Sequence, residues 1–144
     1  MGETALNRWT RRISPAGFGK ESWQMEQTSG KRVLIVEDEA IIARSLAHYL
    51  EKYGHHAAVC EDGEQAVKAL AGSTFEVVIT DLNLPGISGR EVIRQALQAD
   101  DHCMIICISA ELSDEVNIAD KAGRICCVQK PFALRDILGF VDQY

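Results

Sequence analysis

Four short apolar runs in this chain each lead to a polar residue capable of chemistry. Val33-Leu34-Ile35-Val36 runs into Glu37-Asp38, and Val77-Val78-Ile79-Thr80 runs into Asp81. Met104-Ile105-Ile106-Cys107-Ile108 reaches Ser109, and Ile125-Cys126-Cys127-Val128 leads through Gln129 to Lys130-Pro131. A near-continuous apolar run of this length is the pattern of a parallel strand buried on both faces. Parallel strands share one direction, so all four polar endings are expected on one edge of a sheet. That edge would collect three carboxylates, a hydroxyl and an ammonium group, the chemistry of a magnesium-dependent phosphoryl acceptor.

From Arg32 onward the periodicity alternates between strand and helix. Ile42, Leu46, Tyr49 and Leu50 share one helical face, with a stop expected near Gly54. A weaker strand, Ala57-Ala58-Val59-Cys60, precedes a helix carrying Ala66, Val67, Leu70 and Ala71 on one side. Leu84-Pro85-Gly86 reads as a turn. Ser88-Gly89-Arg90-Glu91 then has the capping-box pattern that opens a helix, with Val92, Ile93, Ala96 and Leu97 inward. A short helix is expected between Leu112 and Ala122, and a last one after Pro131 with Leu134, Ile137, Leu138 and Val141 at helical spacing. Five β/α units joined by short connections make an α/β, doubly wound sheet.

Residues 1–31 show no sustained period and read as a flexible N-terminal extension or linker, with one helical turn around Trp9. Both tryptophans, Trp9 and Trp23, fall there. This segment holds five basic and three acidic side chains, while the rest holds ten basic and eighteen acidic. A body that acidic is a poor match for nucleic acid, so no direct nucleic-acid contact is expected. No run approaches the roughly 20 apolar residues of a membrane span. No secretory h-region is visible either, and a cytoplasmic location is expected. The five cysteines form no CxxC pair and read as small buried hydrophobes in a reducing compartment. The four histidines lack metal spacing and read as solvated surface residues.

The edge of a doubly wound sheet where strand order reverses is the usual ligand position. Glu37, Asp38 and Asp81 converging there would repel one another, and a hard divalent cation relieves that repulsion. One carboxylate can act as nucleophile toward phosphorus, while Lys130 and Ser109 neutralise the equatorial oxygens. A single strand-terminal Asp is usually a helix cap, and a single Lys-Pro usually a loop. Five such residues at consecutive strand ends have no comparably ordinary explanation.

The motifs Leu34-Ile35-Val36-Glu37-Asp38-Glu39, Ile79-Thr80-Asp81-Leu82-Asn83-Leu84-Pro85-Gly86, Ile108-Ser109-Ala110 and Gln129-Lys130-Pro131-Phe132 resemble the receiver domain of bacterial response regulators. The resemblance covers residues 32–144. It implies a flavodoxin-like sheet of order 2-1-3-4-5 with five helices. It also implies phosphorylation of Asp81 by a histidine kinase or histidine phosphotransfer protein, with Mg²⁺ as cofactor, followed by slow self-catalysed hydrolysis. By the same resemblance Glu37 and Asp38 are the acidic pair, Ser109 is the switch hydroxyl, and Lys130 contacts the phosphoryl group. Asn83 would lend its backbone carbonyl to the metal, and Lys130–Pro131 would be cis. Asn83 and Glu111 occupy positions that flank the attacking water in the chemotaxis receiver.

Three departures stand out. Glu37 replaces the more frequent Asp, Cys127 stands where Tyr or Phe is usual, and Ser109 to Lys130 is one residue shorter than in the chemotaxis receiver, which implies a trimmed fourth helix or loop. Cys127 is expected to be passive in the switch. A redox role is the lesser reading, because a low-pKa thiol needs an electropositive site. Output is expected through a changed protein surface, to a downstream protein target or within a longer parent chain. Two other classes compete: a pseudo-receiver that binds without phosphorylation, and a haloacid-dehalogenase-like phosphatase. The phosphatase wants a second Asp where Asn83 stands.

Overall fold

The computed structural model describes residues 9–13, 21–25, 30–111 and 123–143. Two strands, β1 (Trp9–Ile13) and β2 (Glu21–Met25), pair antiparallel with Arg11 opposite Trp23. The helical turn expected around Trp9 does not form. Trp9, Thr10 and Ile13 are aromatic or β-branched residues that favour an extended chain with a partner strand.

The body is a five-stranded parallel sheet built from β3 (Arg32–Val36), β4 (His56–Cys60), β5 (Val77–Asp81), β6 (Met104–Ser109) and β7 (Ile125–Gln129). Its order is β4-β3-β5-β6-β7, which in body numbering is 2-1-3-4-5. Four helices are described: α1 (Ala40–Lys52), α2 (Gly63–Gly72), α3 (Gly89–Ala99) and α4 (Leu134–Gln143). The helix expected between Leu112 and Ala122, and the trimming expected there, lie outside the described residues. Among those described, no helix is long and apolar enough to cross a membrane.

The strands feed two cores because alternate side chains face opposite ways. Leu34, Val36, Val78, Ile105 and Cys107 pack with α2 and α3 residues such as Ala66, Leu70, Val92 and Ile93. Val33, Ile35, Ile79, Ile106 and Ile108 pack with Leu46 and Leu50 of α1 and Ile137 and Val141 of α4. Truncating a central residue such as Ile106 to Ala is expected to cost about 2–5 kcal/mol.

The apolar runs of β3, β5 and β6 are buried on both faces as expected. The run of β7 is not, because β7 is an edge strand. Ile125, Cys126 and Val128 are half-buried, and Cys127 and Gln129 are exposed. The reading of the cysteines as buried therefore holds for Cys60, Cys103 and Cys107, while Cys126 is half-buried and Cys127 exposed. Ala71, expected inward, is exposed on α2.

The histidines also need one correction. His55 is buried, and both of its ring nitrogens have partners. Its Nδ1 accepts from the Lys31 N–H at 3.1 Å, which leaves Nε2 to donate to Asp142 at 2.8 Å. The Lys31 ammonium donates to the Val141 carbonyl, so the start of the body is fastened to the end of α4. Just before His55, α1 stops at Gly54, whose φ of 94° suits glycine after a helix C-terminus.

Candidate functional site

Strand order reverses at β3, which pairs with β4 on one side and β5 on the other. The crevice beyond the carboxyl ends of β3 and β5 is therefore where a ligand is expected. Glu37 and Asp38 follow β3 and Asp81 closes β5, as the apolar runs require. One carboxylate oxygen from each lies within 4.8 Å of the others. Glu37 and Asp81 are buried and Asp38 is exposed.

Lys130 enters from the end of β7, past a cis peptide bond to Pro131. Its Nζ lies 2.7 Å from Asp81 Oδ2 and 3.3 Å from Glu37 Oε1. Glu39 Oε1 stands further off, at 3.6 Å. Burial alone would lower the lysine's pKa. Hydrogen bonds to Asp81 and Glu37 outweigh it and hold Lys130 above its ordinary value. The ammonium therefore stays charged across the neutral range.

Burial, the largest influence on Glu37, pushes its carboxyl above the ordinary range, and Asp81 adds to the rise. The Glu39 N–H and Lys130 only partly offset this. The Glu39 N–H donates to Glu37 Oε1 at 3.2 Å. Glu37 Oε2 is different: it lies 3.2 Å from Lys130 Nζ but has no aligned hydrogen bond and is closed to solvent. A buried carboxylate oxygen left in this state is costly. It fits a site that also receives a cation.

The loop after β5 shapes the surroundings of Asp81. The Asn83 N–H donates to Asp81 Oδ1 at 2.9 Å, so both carboxylate oxygens of Asp81 are held. Thr80 Oγ1 donates to the Asp81 carbonyl at 3.0 Å. Gly89, the first residue of α3, lies against that same carbonyl. A Cβ built there would fall 2.0 Å from the Asp81 oxygen, so only glycine lets the helix start so close. The capping box forms in half. Ser88 Oγ accepts from the Glu91 N–H at 3.4 Å, while the Glu91 side chain turns to Arg94 and Gln95.

Ser109 ends β6 beside the site. The Lys130 N–H donates to its carbonyl at 2.8 Å, which ties the two strand ends together. Its hydroxyl donates to the Glu111 carbonyl at 2.7 Å. Cys127 sits on β7 opposite Cys107. The fold thus brings Glu37, Asp38, Asp81 and Lys130 into one cluster, with Ser109 and Asn83 at its border. Three contributors were not read from the sequence: Glu39, Thr80 and Gly89. The signal for Gly89 was present as the helix start after Ser88, but a close backbone approach leaves no periodicity to detect.

The family model of the response regulator receiver domain matches residues 33–142. The chain belongs to the response regulator receiver family. CpdR, a response regulator receiver protein of Brucella abortus, is 32% identical over 114 residues, 78% of this chain and 95% of CpdR. The transcriptional regulatory protein ResD of Bacillus subtilis is 32% identical over 116 residues, 79% of this chain but only 48% of ResD. The chain therefore spans nearly all of one relative and about half of the other.

Among solved structures, the chemotaxis response regulator CheY4 of Vibrio cholerae matches with a TM-score of 0.70 and 26% identity, over 79% of this chain and 98% of CheY4. The response regulator TrrA of Thermotoga maritima, solved in complex with Mg²⁺-BeF, gives 0.69 and 29%, over 78% and 97%. The receiver of this chain thus has the architecture of two-component signalling proteins, and its acidic cluster is of the kind receivers use for Mg²⁺.

Proposed function

We propose that the receiver takes a phosphoryl group onto Asp81 from a phosphohistidine donor, a histidine kinase or a histidine phosphotransfer protein. The observation that carries this reading is the Lys130 ammonium 2.7 Å from Asp81 Oδ2, in a cluster that also holds Glu37 and Asp38. A carboxylate oxygen of Asp81 attacks phosphorus, the bond from phosphorus to the donor imidazole breaks, and the electron pair returns to that nitrogen. Lys130 orients Asp81 and meets the charge on the transferred oxygens. Asp38, Asp81, Glu37 and the Asn83 backbone carbonyl would hold Mg²⁺, which supplies further neutralisation of the phosphoryl oxygens when bound. The Ser109 hydroxyl, on leaving the Glu111 carbonyl, donates a hydrogen bond to an oxygen of the phosphoryl group on Asp81.

A docking place for the donor lies beside the cluster. Ile41, in the first turn of α1, is 81% exposed, although it is a large apolar residue. It borders a groove of about 450 Å³ shared with Ile42, Pro131, Phe132 and Leu134, and Glu39 and Lys130 stand at its edge. In this reading residues 32–144 form the receiver and 1–31 an extension to it. Output passes through a changed protein surface to a downstream protein.

Acetyl phosphate with Mg²⁺, followed by intact mass, tests the proposal. One phosphoryl group per chain is expected, absent from Asp81→Asn. An unmodified parent chain would instead support a receiver-shaped binding module. Stoichiometric labelling of Asp81→Asn would remove Asp81 as the acceptor.

A further inference from the structure

Cys107 of β6 and Cys127 of β7 lie directly opposite each other on neighbouring parallel strands. Residues opposed in this way project to the same face of the sheet. Cys107 belongs to the core under α2 and α3, and Ile125, two residues before Cys127, packs on that core as well. Cys126, between them, packs on the other face. The register thus sets the two side chains next to each other on one face of neighbouring strands. Adjacent strands stand about 4.8 Å apart, inside the span of about 4.4–6.8 Å between Cα atoms that a disulfide bridges. One thiol reaches solvent and the other does not, since Cys127 is exposed and Cys107 buried.

We propose that Cys107 and Cys127 are a modification site that forms a reversible intrachain disulfide by exchange with a low-molecular-weight disulfide. Cys127 is the sulfur that begins the exchange, because only it is accessible. Its thiolate attacks one sulfur of the small disulfide, that S–S bond breaks, and the first small thiolate leaves and takes a proton from water. Cys107 then attacks Cys127 Sγ of the mixed disulfide. The Sγ–Sγ bond forms, the second small thiolate leaves, and it accepts the Cys107 proton. Two protein thiols lose two electrons and one small disulfide is reduced to two thiols.

The order is fixed by burial. Desolvation, and then the neighbouring Cys127 and Asp81, push the Cys107 thiol up to about 12, so it cannot start the exchange as a thiolate. It acts only once its partner is activated beside it. That second step is within one molecule, so proximity replaces the need for an unusually acidic thiol.

The bridge would sit two residues before Ser109 and three before Lys130. These are the strand ends joined by the Lys130 N–H and the Ser109 carbonyl. An exposed cross-strand bond of this kind belongs to the readily reduced class. Oxidation would thus clamp the last two strands next to the phosphorylation site and release them on reduction. The proposal is independent of the phosphoryl reading, and its test uses no phosphoryl donor.

The full chain is incubated with excess oxidised glutathione, quenched in acid, alkylated and measured by intact mass. Peptide fragmentation then assigns the cysteines. One internal disulfide joining Cys107 to Cys127 is expected, with three of the five cysteines still alkylated and full reversal by dithiothreitol. Cys127→Ser is expected to abolish the bridge, and Cys126→Ser to leave it intact. A stable glutathione adduct on Cys127, a bridge through Cys126 or Cys103, or five free thiols would each overturn the proposal.

Discussion

The Ser109 hydroxyl donates to the Glu111 carbonyl at 2.7 Å, and the Glu111 N–H donates back to the same oxygen at 3.2 Å. The hydroxyl is thus occupied by the loop that follows it. To reach a phosphoryl group on Asp81 it must break the bond to Glu111, and the loop must then find a new position. Under the proposed function the switch would lie in this one residue and the backbone two residues on.

The first prediction follows from that pair. With the protein kept reduced, phosphorylation is expected to move amide signals of β6 and of the loop after it. Ser109→Ala loses most of that response, and Cys127→Ala keeps nearly all of it, because a thiol has no ring to swing. Amide shift mapping of the three proteins decides between them. The reverse ranking would make Cys127 the switch.

Glu37 gives a prediction about stability and pH. Its carboxyl is held above the ordinary range, so the folded, metal-free protein binds that proton more tightly than the unfolded chain. The contribution is full below the ordinary carboxylate range of about 4.3. It is lost as pH rises through the higher folded value. Glu37→Gln mimics the protonated state and should raise metal-free stability at pH 7. Thermal melts of both proteins from pH 4 to pH 8, run in chelator, check this. A less stable Glu37→Gln throughout would contradict it.

Metal dependence ranks the carboxylates. Mg²⁺ at a hundredfold above its Kd is expected to add about 2.7 kcal/mol of stability. Asp38 is exposed and has no hydrogen-bond partner among the described residues, whereas Glu37 is already shared with Lys130 and the Glu39 N–H. Asp38→Ala should therefore lose more Mg²⁺ affinity than Glu37→Ala in a direct titration. A larger loss in the Glu37 variant would reverse the ranking.

Most of this site was legible because strand-terminal chemistry is a one-dimensional signal. Each apolar run ends where its strand ends, and parallel strands bring those ends together, so Glu37, Asp38, Asp81, Ser109 and Lys130 could be grouped before any coordinates. Contacts between distant backbone segments carry no such signal. Gly89 against the Asp81 carbonyl, and His55 between Lys31 and Asp142, depend on how loops meet after the sheet has formed. The exposure of Cys127 was misread for a related reason. An edge strand and a central strand can carry the same apolar run, and only the strand order separates them. The pairing at Trp9–Ile13 was missed because five residues with two arginines show little alternation without their partner strand.

The central claim is that Asp81 is the residue phosphorylated, and chemical trapping tests it most directly. The chain is treated with acetyl phosphate and Mg²⁺, then reduced with borohydride, which converts an aspartyl phosphate to homoserine, and the peptides are sequenced by mass. Homoserine at position 81 alone is expected. Homoserine at position 38, or a borohydride-resistant phosphate on Ser109, would contradict the account.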